Sequence, residues 1–270
     1  MAPAEPGAAS VVVPTYKEVG NIEELCKRLF AALKESGLEG VELIIVDDNS
    51  RDGTVELCDK LSREYPLLRL ITRTTERGLS TAVLRGFDEA KGRALICMDA
   101  DLQHPPERVP RMIEVLGSPG AEFALGTRYG GEGKVDVDKD WPLHRQVISW
   151  GARLLARPLT PMSDPMSGFF GMTRESYERA RPRTSALGYK IALELYVKSG
   201  VASAGLREVS FVFGLRSVGE SKLTGKVIVH YIRHLVRLYW YSYGPLALLL
   251  LVVAVVCLFS TFFAASRSLA

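Results

Sequence analysis

The chain has 270 residues, 47% of them hydrophobic and 24% charged, proportions that exclude a disordered tail protein or a fibrous repeat. Its length allows at most about two domains, and its net charge of +3 is too small to point to nucleic acid. The charge is uneven: from Arg207 onward seven Lys or Arg stand against two Glu, just before a long uncharged stretch.

Residues 1–9 are expected to be disordered. They carry no charged segment followed by an apolar core, so no signal peptide is expected. Ser10–Val13 is a short apolar run ending at Pro14 and reads as a strand. Apolar residues at 22, 25, 29 and 33 predict a helix over Ile22–Leu33, with Asn21 as its N-cap. The β-branched run Val41–Val46 predicts a strand that stops at Asp47-Asp48-Asn49-Ser50. A helix follows over Thr54–Tyr65, a strand over Leu68–Thr72, a helix over Gly78–Ala90, and a strand over Ala94–Met98. This alternation predicts a parallel α/β sheet, whose ligands sit beyond the carboxyl ends of the strands. The polar clusters fall there: Thr15-Tyr16-Lys17-Glu18, Asp47-Asp48, and Asp99-Ala100-Asp101.

Two carboxylates one residue apart at a strand end suit a hard divalent cation, which takes oxygen ligands and bridges carboxylates to substrate phosphates. Such a pair, like Asp47-Asp48, is also ordinary turn chemistry; Gln103 and His104-Pro105-Pro106-Glu107 after Asp101 make the first less generic. Neither a Gly-rich dinucleotide fingerprint nor a Walker loop is present, so a phosphate-bearing substrate would be held by metal and cationic side chains. Cys26, Cys58, Cys97 and Cys257 are scattered, and neither a zinc site nor a disulfide framework follows from them.

In the last part of the chain, Ile228, Tyr231, Ile232, Leu235 and Leu238 form a stripe, with Lys226, His230, Arg233 and Arg237 largely elsewhere. The pattern fits a helix in a membrane interface, or one closing the domain. Between Arg237 and Arg267 there is no charged residue, and Pro245–Ala264 is almost wholly apolar, long enough for a helix to cross a ~30 Å hydrocarbon core. Tyr239, Trp240, Tyr241 and Tyr243 precede it where an aromatic belt would lie, and the basic residues before them place the body on the cytosolic side.

VVVPTYKEVGNI, IIVDDNSRDGT, RGLSTAVLRGF, MDADLQHPPE, GTRY, DPMSGFF, GYKIALEL and FGLRSVGESKL occur in this order over about residues 10–226. Together they resemble the dolichol-phosphate mannose synthases, within the family 2 glycosyltransferases. The resemblance implies a GT-A, Rossmann-like α/β domain with a mostly parallel sheet over 10–225. It also implies an interfacial helix over 226–243, a transmembrane helix over 244–266, and a short lumenal tail over 267–270. The implied reaction moves mannose from GDP-mannose to dolichyl phosphate with inversion. The expected cofactor is a divalent cation, Mg2+ or Mn2+. The setting is the endoplasmic reticulum membrane, with the catalytic domain in the cytosol. As in the synthases that work as one polypeptide, no obligatory protein subunit is expected, and no nucleic acid. A dolichyl-phosphate glucosyltransferase using UDP-glucose and a non-enzymatic sugar-nucleotide binder are the alternatives.

The same resemblance assigns roles. Pro14, Tyr16, Glu18, Val46 and Asp48 belong to the nucleotide pocket, with Asp48 reading the base. Asp99, Ala100, Asp101 and Gln103 belong to the donor diphosphate, and Asp99, Asp101 and Gln103 hold the metal, Asp101 most directly. Arg216 and Lys222 clamp the diphosphate. Arg128, Arg145 and Ser149 cradle the acceptor phosphate, the last two being four apart on one helical face. Asp164 and Ser167 shape the sugar pocket. Asp101, Arg128, Arg145, Arg216 and Lys222 are the catalytic set. A phosphate monoester is mostly dianionic at neutral pH, so no general base is expected. Lys190 and Glu194 read as a helix ion pair, and the four histidines have no catalytic role.

Overall fold

The computed structural model describes residues 7–129, 143–186, 188–212, 225–246, 249, 252–253 and 256–257, without the side chains of 143–148 and 225–228. Its first half follows the predicted alternation: β1 (Ala9–Thr15), α1 (Val19–Glu35), β2 (Glu42–Asp47), α2 (Thr54–Glu64), β3 (Leu68–Thr72), α3 (Leu79–Glu89) and β4 (Ala94–Cys97). Then come α4 (Val109–Leu116), β5 (Phe123–Thr127), α5 (Leu143–Ala156), β6 (Phe170–Thr173), α6 (Arg174–Ala180), α7 (Ile191–Ser199), β7 (Leu206–Ser210) and α8 (Gly225–Tyr243).

One boundary moves. Helix α1 begins at Val19, with Glu18 as its N-cap residue, not at Ile22. Asn21 lies inside the helix, buried, and its amide donates to Glu18 Oε2 at 2.7 Å. An Asn serves a helix start as cap or, as here, by holding the side chain of the residue that takes that place.

The strands form one seven-stranded sheet in the order β3-β2-β1-β4-β6-β5-β7. The pairs β1–β2, β2–β3, β1–β4 and β5–β7 are parallel, and β6 runs antiparallel to both β4 and β5. The first four strands and β5 therefore end at one edge of the sheet, while β6 begins there. For that reason the segment before β6, not the one after it, reaches the ligand edge.

The sheet is covered on both faces. Val11, Val13, Leu43, Ile45 and Ile96 pack with Ile22, Leu25 and Leu29 of α1 and Met112 of α4 on one side. Val12, Ile44, Leu95, Phe123 and Phe170 pack with Val83 and Phe87 of α3, Tyr177 of α6 and Leu195 of α7 on the other. Alternating residues of each strand serve opposite faces, as the two-residue repeat of a strand requires. At Gly86 a Cβ would lie 2.3 Å from Val12 Cγ1, so this glycine lets α3 approach β1 and β2 closely.

Helix α8 packs on the domain. Leu235, Leu238 and Tyr239 are buried with Ala156 and Leu193. Three tyrosine hydroxyls rivet α8 to backbone carbonyls at the end of α5 and just beyond: Tyr231 to Ala152 O at 2.7 Å, Tyr239 to Leu155 O at 2.8 Å, and Tyr243 to Pro158 O. Tyr239 is thus turned into the protein, whereas Trp240 and Tyr241 beside it are exposed, as are Val229 and Ile232. Among the described residues no helix is long and apolar enough to cross a membrane. Much of 244–266 lies outside the described residues, and Leu246, Leu249, Val252, Val253 and Val256 within it are exposed.

Candidate active site

The predicted clusters meet at the edge where β1, β2, β4 and β5 end. Lys17, Asn49, Arg51 and Leu102, in the loops after β1, β2 and β4, all have positive φ. Non-glycine residues held there cost free energy, and such strain concentrates at functional sites. The loops are tied together: Lys17 N–H donates to Ser50 Oγ at 2.8 Å, Asp48 N–H to Thr15 O at 3.0 Å, and Val19 N–H to Asp52 Oδ2 at 3.3 Å.

In the expected nucleotide pocket, Pro14 is buried near the end of β1 and Tyr16 is exposed beyond it. The Arg77 guanidinium lies 5.5 Å from the Tyr16 ring centre. The Val46 side chain is in the core beside Gly86. Asp47 is consumed locally: Ser50 N–H donates to Oδ2 at 2.9 Å and Ser50 Oγ to Oδ1. Asp48 is buried and receives Arg73 Nε at 2.7 Å, Arg73 Nη2, and Gly78 N–H at 2.7 Å. Arg73 also donates to Thr81 Oγ1 at 2.8 Å and to Gly78 O at 2.9 Å. It therefore staples the start of α3 to the end of β2. Sequence reasoning missed Arg73, whose position just after a strand gives no sign of a partner 25 residues earlier.

The acidic turn after β4 is compact. Asp101 is buried and accepts Gln103 N–H at 3.1 Å. Ala100 is buried between the two carboxylates, and the Asp99 side chain is partly open to solvent. Beneath them His104 is buried, its ring stacked on Phe169 and edge-on to Phe211. Its Nδ1 accepts the Asp99 N–H at 3.0 Å. Burial pushes the His104 pKa down against the pull of Asp99 and Asp101, which agrees with a neutral ring whose Nδ1 is an acceptor. His104 thus positions the backbone of Asp99, a role its place three residues after Asp101 hints at.

Asp99, Asp101 and the amide of Gln103 supply oxygen donors on one short turn, and that donor set fits a hard divalent cation. Among the described residues no three His, Cys, Asp or Glu side chains cluster to hold a metal by themselves, so Gln103 or substrate oxygens would complete the shell.

Facing this turn are the segments after β5 and before β6. Arg128 Nε and Nη2 donate to the fully buried Asp164 carboxylate at 2.7 and 3.0 Å. Thr127 Oγ1 and Ser163 Oγ share a hydrogen bond of 2.6 Å, and Gly126 N–H donates to Phe169 O at 2.8 Å. Ser167 is buried, with its N–H on Asp164 O at 3.0 Å and its Oγ accepting Phe169 N–H at 3.1 Å. At Gly168 a Cβ would lie 3.3 Å from Asp99 Oδ2 and 3.4 Å from His104 Cε1, so the turn before β6 lies directly against the acidic turn.

Helix α5 reaches the same place through Arg153, whose guanidinium sits 4.0 Å over the Tyr129 ring centre. Ser149 is half-buried one turn before it, and Arg145 lies on the same helix with its side chain outside the described residues. Arg216 and Lys222 also lie outside them.

The ion pair expected between Lys190 and Glu194 does not form. Glu194 is buried and pairs with Lys198, also receiving Ser185 N–H at 2.7 Å and Ser185 Oγ at 2.8 Å. Lys190 is the N-cap residue of α7, before the helical repeat begins, and its Nζ donates instead to Met166 O at 2.8 Å, in the turn before β6.

The family model for glycosyl transferase family 2 matches residues 10–181. A dolichol-phosphate mannosyltransferase of Mycosarcoma maydis is 54% identical over 257 residues, covering 93% of this chain and 86% of that protein. One of Saccharomyces cerevisiae is 51% identical over 247 residues, covering 90% and 91%. One of Pyrococcus furiosus is 45% identical over 233 residues, covering 85% and 63%. Among solved structures, glucosyl-3-phosphoglycerate synthase of Mycobacterium tuberculosis, in complex with Mn2+, UDP and glucosyl-3-phosphoglycerate, superposes with a TM-score of 0.61. It is 22% identical and covers 87% of this chain and 79% of that one, a likeness of fold. The motifs of the ligand edge and these relatives together place the chain among the family 2 glycosyltransferases, in the family of the dolichol-phosphate mannosyltransferases.

Proposed function

We propose that the protein transfers mannose from GDP-mannose to dolichyl phosphate, giving dolichyl β-mannosyl phosphate and GDP. The observation that carries this reading is the 54% and 51% identity to dolichol-phosphate mannosyltransferases over nine-tenths of the chain. The three relatives at 45–54% identity are all dolichol-phosphate mannosyltransferases, which disfavours the UDP-glucose alternative.

The acceptor is already a nucleophile, since a phosphate monoester is mostly dianionic at neutral pH. The enzyme therefore has to align two anions and offset their repulsion. Arg128, Arg145 and Ser149 serve the acceptor phosphate, and Arg216 and Lys222 the leaving diphosphate. Asp48 reads the base through lone pairs that remain beside Arg73 and Gly78. A divalent cation, like the Mn2+ in the complexed glucosyl-3-phosphoglycerate synthase, would be held by Asp101 with Asp99 and Gln103. Bound there, it would neutralise the diphosphate as it leaves. Attack opposite the leaving group inverts the anomeric centre.

The apolar stretch over 244–266 anchors the protein in the endoplasmic reticulum membrane, with the catalytic domain in the cytosol and α8 leading to the bilayer. The uncharged interval between Arg237 and Arg267 supports this. The test is incubation of the purified full chain with labelled GDP-mannose and dolichyl phosphate, with and without chelator. Chelator-sensitive label in the lipid extract, suppressed by GDP, is the expected result. Inhibition by UDP and not GDP would sink it.

A further inference from the structure

Arg77 stands beside the nucleotide pocket, and the motif reading gave it no role. It precedes Gly78, the N-cap residue of α3, whose φ of +130° glycine adopts far more readily than other residues. Both backbone polar groups of Gly78 are held: its N–H donates to Asp48 Oδ2 at 2.7 Å, and its carbonyl accepts Arg73 Nη2 at 2.9 Å. The backbone at Arg77 is therefore fixed one residue away from the anchor of the carboxylate assigned to the base.

The Arg77 side chain is exposed, and among the described residues it forms no hydrogen bond and no ion pair. The carboxylates on either side are engaged elsewhere: Asp48 holds Arg73 and Gly78, and Glu76 faces Arg73 Nη1 at 3.4 Å. What Arg77 does meet is the ring of Tyr16, 5.5 Å from its guanidinium, on the wall expected to line the nucleotide. A cation–π contact uses the charge and leaves the N–H donors free. Guanine carries its donors, N1–H and N2–H, next to its acceptors, O6 and N7. A carboxylate that takes the donors leaves the acceptors to the group beside it, and an arginine fork matches O6 and N7 together. Uracil turned with N3–H to the same carboxylate offers one acceptor there, O4.

We propose that Arg77 is a specificity-determining residue whose guanidinium takes the O6 and N7 acceptors of a guanine base and so favours a guanosine over a uridine diphosphate donor. The proposal rests on the GDP-mannose reading and deepens it. The work divides between two arginines. Arg73 is spent on the protein and fixes Asp48 for the donor edge of the base. Arg77 has no protein acceptor among the described residues, and its fork serves the acceptor edge.

The test measures binding of GDP, 7-deaza-GDP and UDP to the full-length protein and to Arg77→Met and Arg77→Lys in detergent, followed by mannose transfer. Arg77→Met is expected to weaken GDP by about tenfold to a hundredfold, the range for one bidentate arginine–guanine contact, and UDP by much less. Arg77→Lys should recover only part of the loss, because an ammonium is a point charge without the fork. Wild type should bind GDP more tightly than 7-deaza-GDP, which lacks the N7 acceptor, and Arg77→Met should not tell them apart. Melting temperatures should be unchanged. Equal losses for all three nucleotides would overturn the proposal and reduce Arg77 to a contact with ribose, phosphate or either base face. So would Arg77→Met affinities equal to wild type, which would leave Arg77 a solvated surface charge. Full recovery in Arg77→Lys would overturn the bidentate contact. A wild-type protein that binds UDP as tightly as GDP would overturn the donor reading and this proposal together. A protein that prefers GDP through Arg77 and transfers no mannose would overturn the proposed reaction and leave the Arg77 contact standing.

Discussion

The carboxylate of Asp164 is fully buried and meets the Arg128 guanidinium with both oxygens, at 2.7 and 3.0 Å. The pair joins the end of β5 to the turn before β6 and so holds one wall of the ligand edge. Removing one member of a buried pair strands the other charge. Asp164→Ala is therefore expected to lose about 3–5 kcal/mol of stability in denaturant titration. A double variant, Asp164→Leu with Arg128→Met, should recover much of that stability yet transfer no mannose. A double variant as unstable as Asp164→Ala would argue against a stranded charge.

Asp101 combines burial with a place on the oxygen-donor turn. Asp101→Ala is expected to lower transfer by at least about a hundredfold, the scale of losing charge stabilisation at a leaving group. Its thermal unfolding should stay close to wild type, and Mn2+ binding followed by calorimetry should weaken with activity. Near-normal turnover would refute the metal assignment.

Arg73 and Asp48 make a prediction about the donor side. Arg73→Lys should not rescue Arg73→Met, because Asp48, Thr81 and Gly78 are met by several nitrogens of one planar fork. Both variants should raise the KM for GDP-mannose more than that for dolichyl phosphate. Equal effects on the two would show that Arg73 supports the fold generally and not the nucleotide pocket.

Two glycines separate packing from chemistry. At Gly126 a Cβ would lie 2.6 Å from the Phe169 ring, so Gly126→Ala overpacks the core and should cost about 1–3 kcal/mol. At Gly168 the nearest contact is Asp99 Oδ2 at 3.3 Å, a gap that small shifts relieve. Gly168→Ala should therefore slow transfer by displacing Asp99 while barely moving the melting temperature. The reverse ranking would contradict the packing described.

Acid should weaken the protein partly through Asp88. Desolvation alone would raise its carboxyl pKa, but hydrogen bonds from Arg181 and Tyr177 outweigh burial and hold it below the ordinary range. A carboxyl depressed in the folded state contributes stability above its unfolded pKa of about 3.9, and loses it as pH falls through the folded value. Asp88→Asn should flatten the stability–pH curve below about pH 4. An unchanged slope there would discount the contact.

The first hundred residues were legible because their periodicities are local. The unbroken apolar runs of β1, β2 and β4 report strands buried on both faces, and the 22, 25, 29, 33 stripe of α1 reports a helix buried on one. That order alone predicts a parallel sheet with Asp48, Asp99 and Asp101 at one edge. The motifs from GTRY to GYK carried the family resemblance, but no local pattern says that β6 runs backwards between β4 and β5. That reversal brings Asp164 and Gly168 against Asp99. The partners of the charged groups were likewise decided in three dimensions. Lys190 was expected to choose Glu194 four residues on, and no partner within the protein was expected for Asp48. In the structure Lys198 pairs with Glu194, the Met166 carbonyl accepts a hydrogen bond from Lys190, and Arg73 closes on Asp48. Sequence spacing states which charges can meet along one element. Only packing across elements, where desolvation makes each buried charge seek the nearest compensation, settles which of them do.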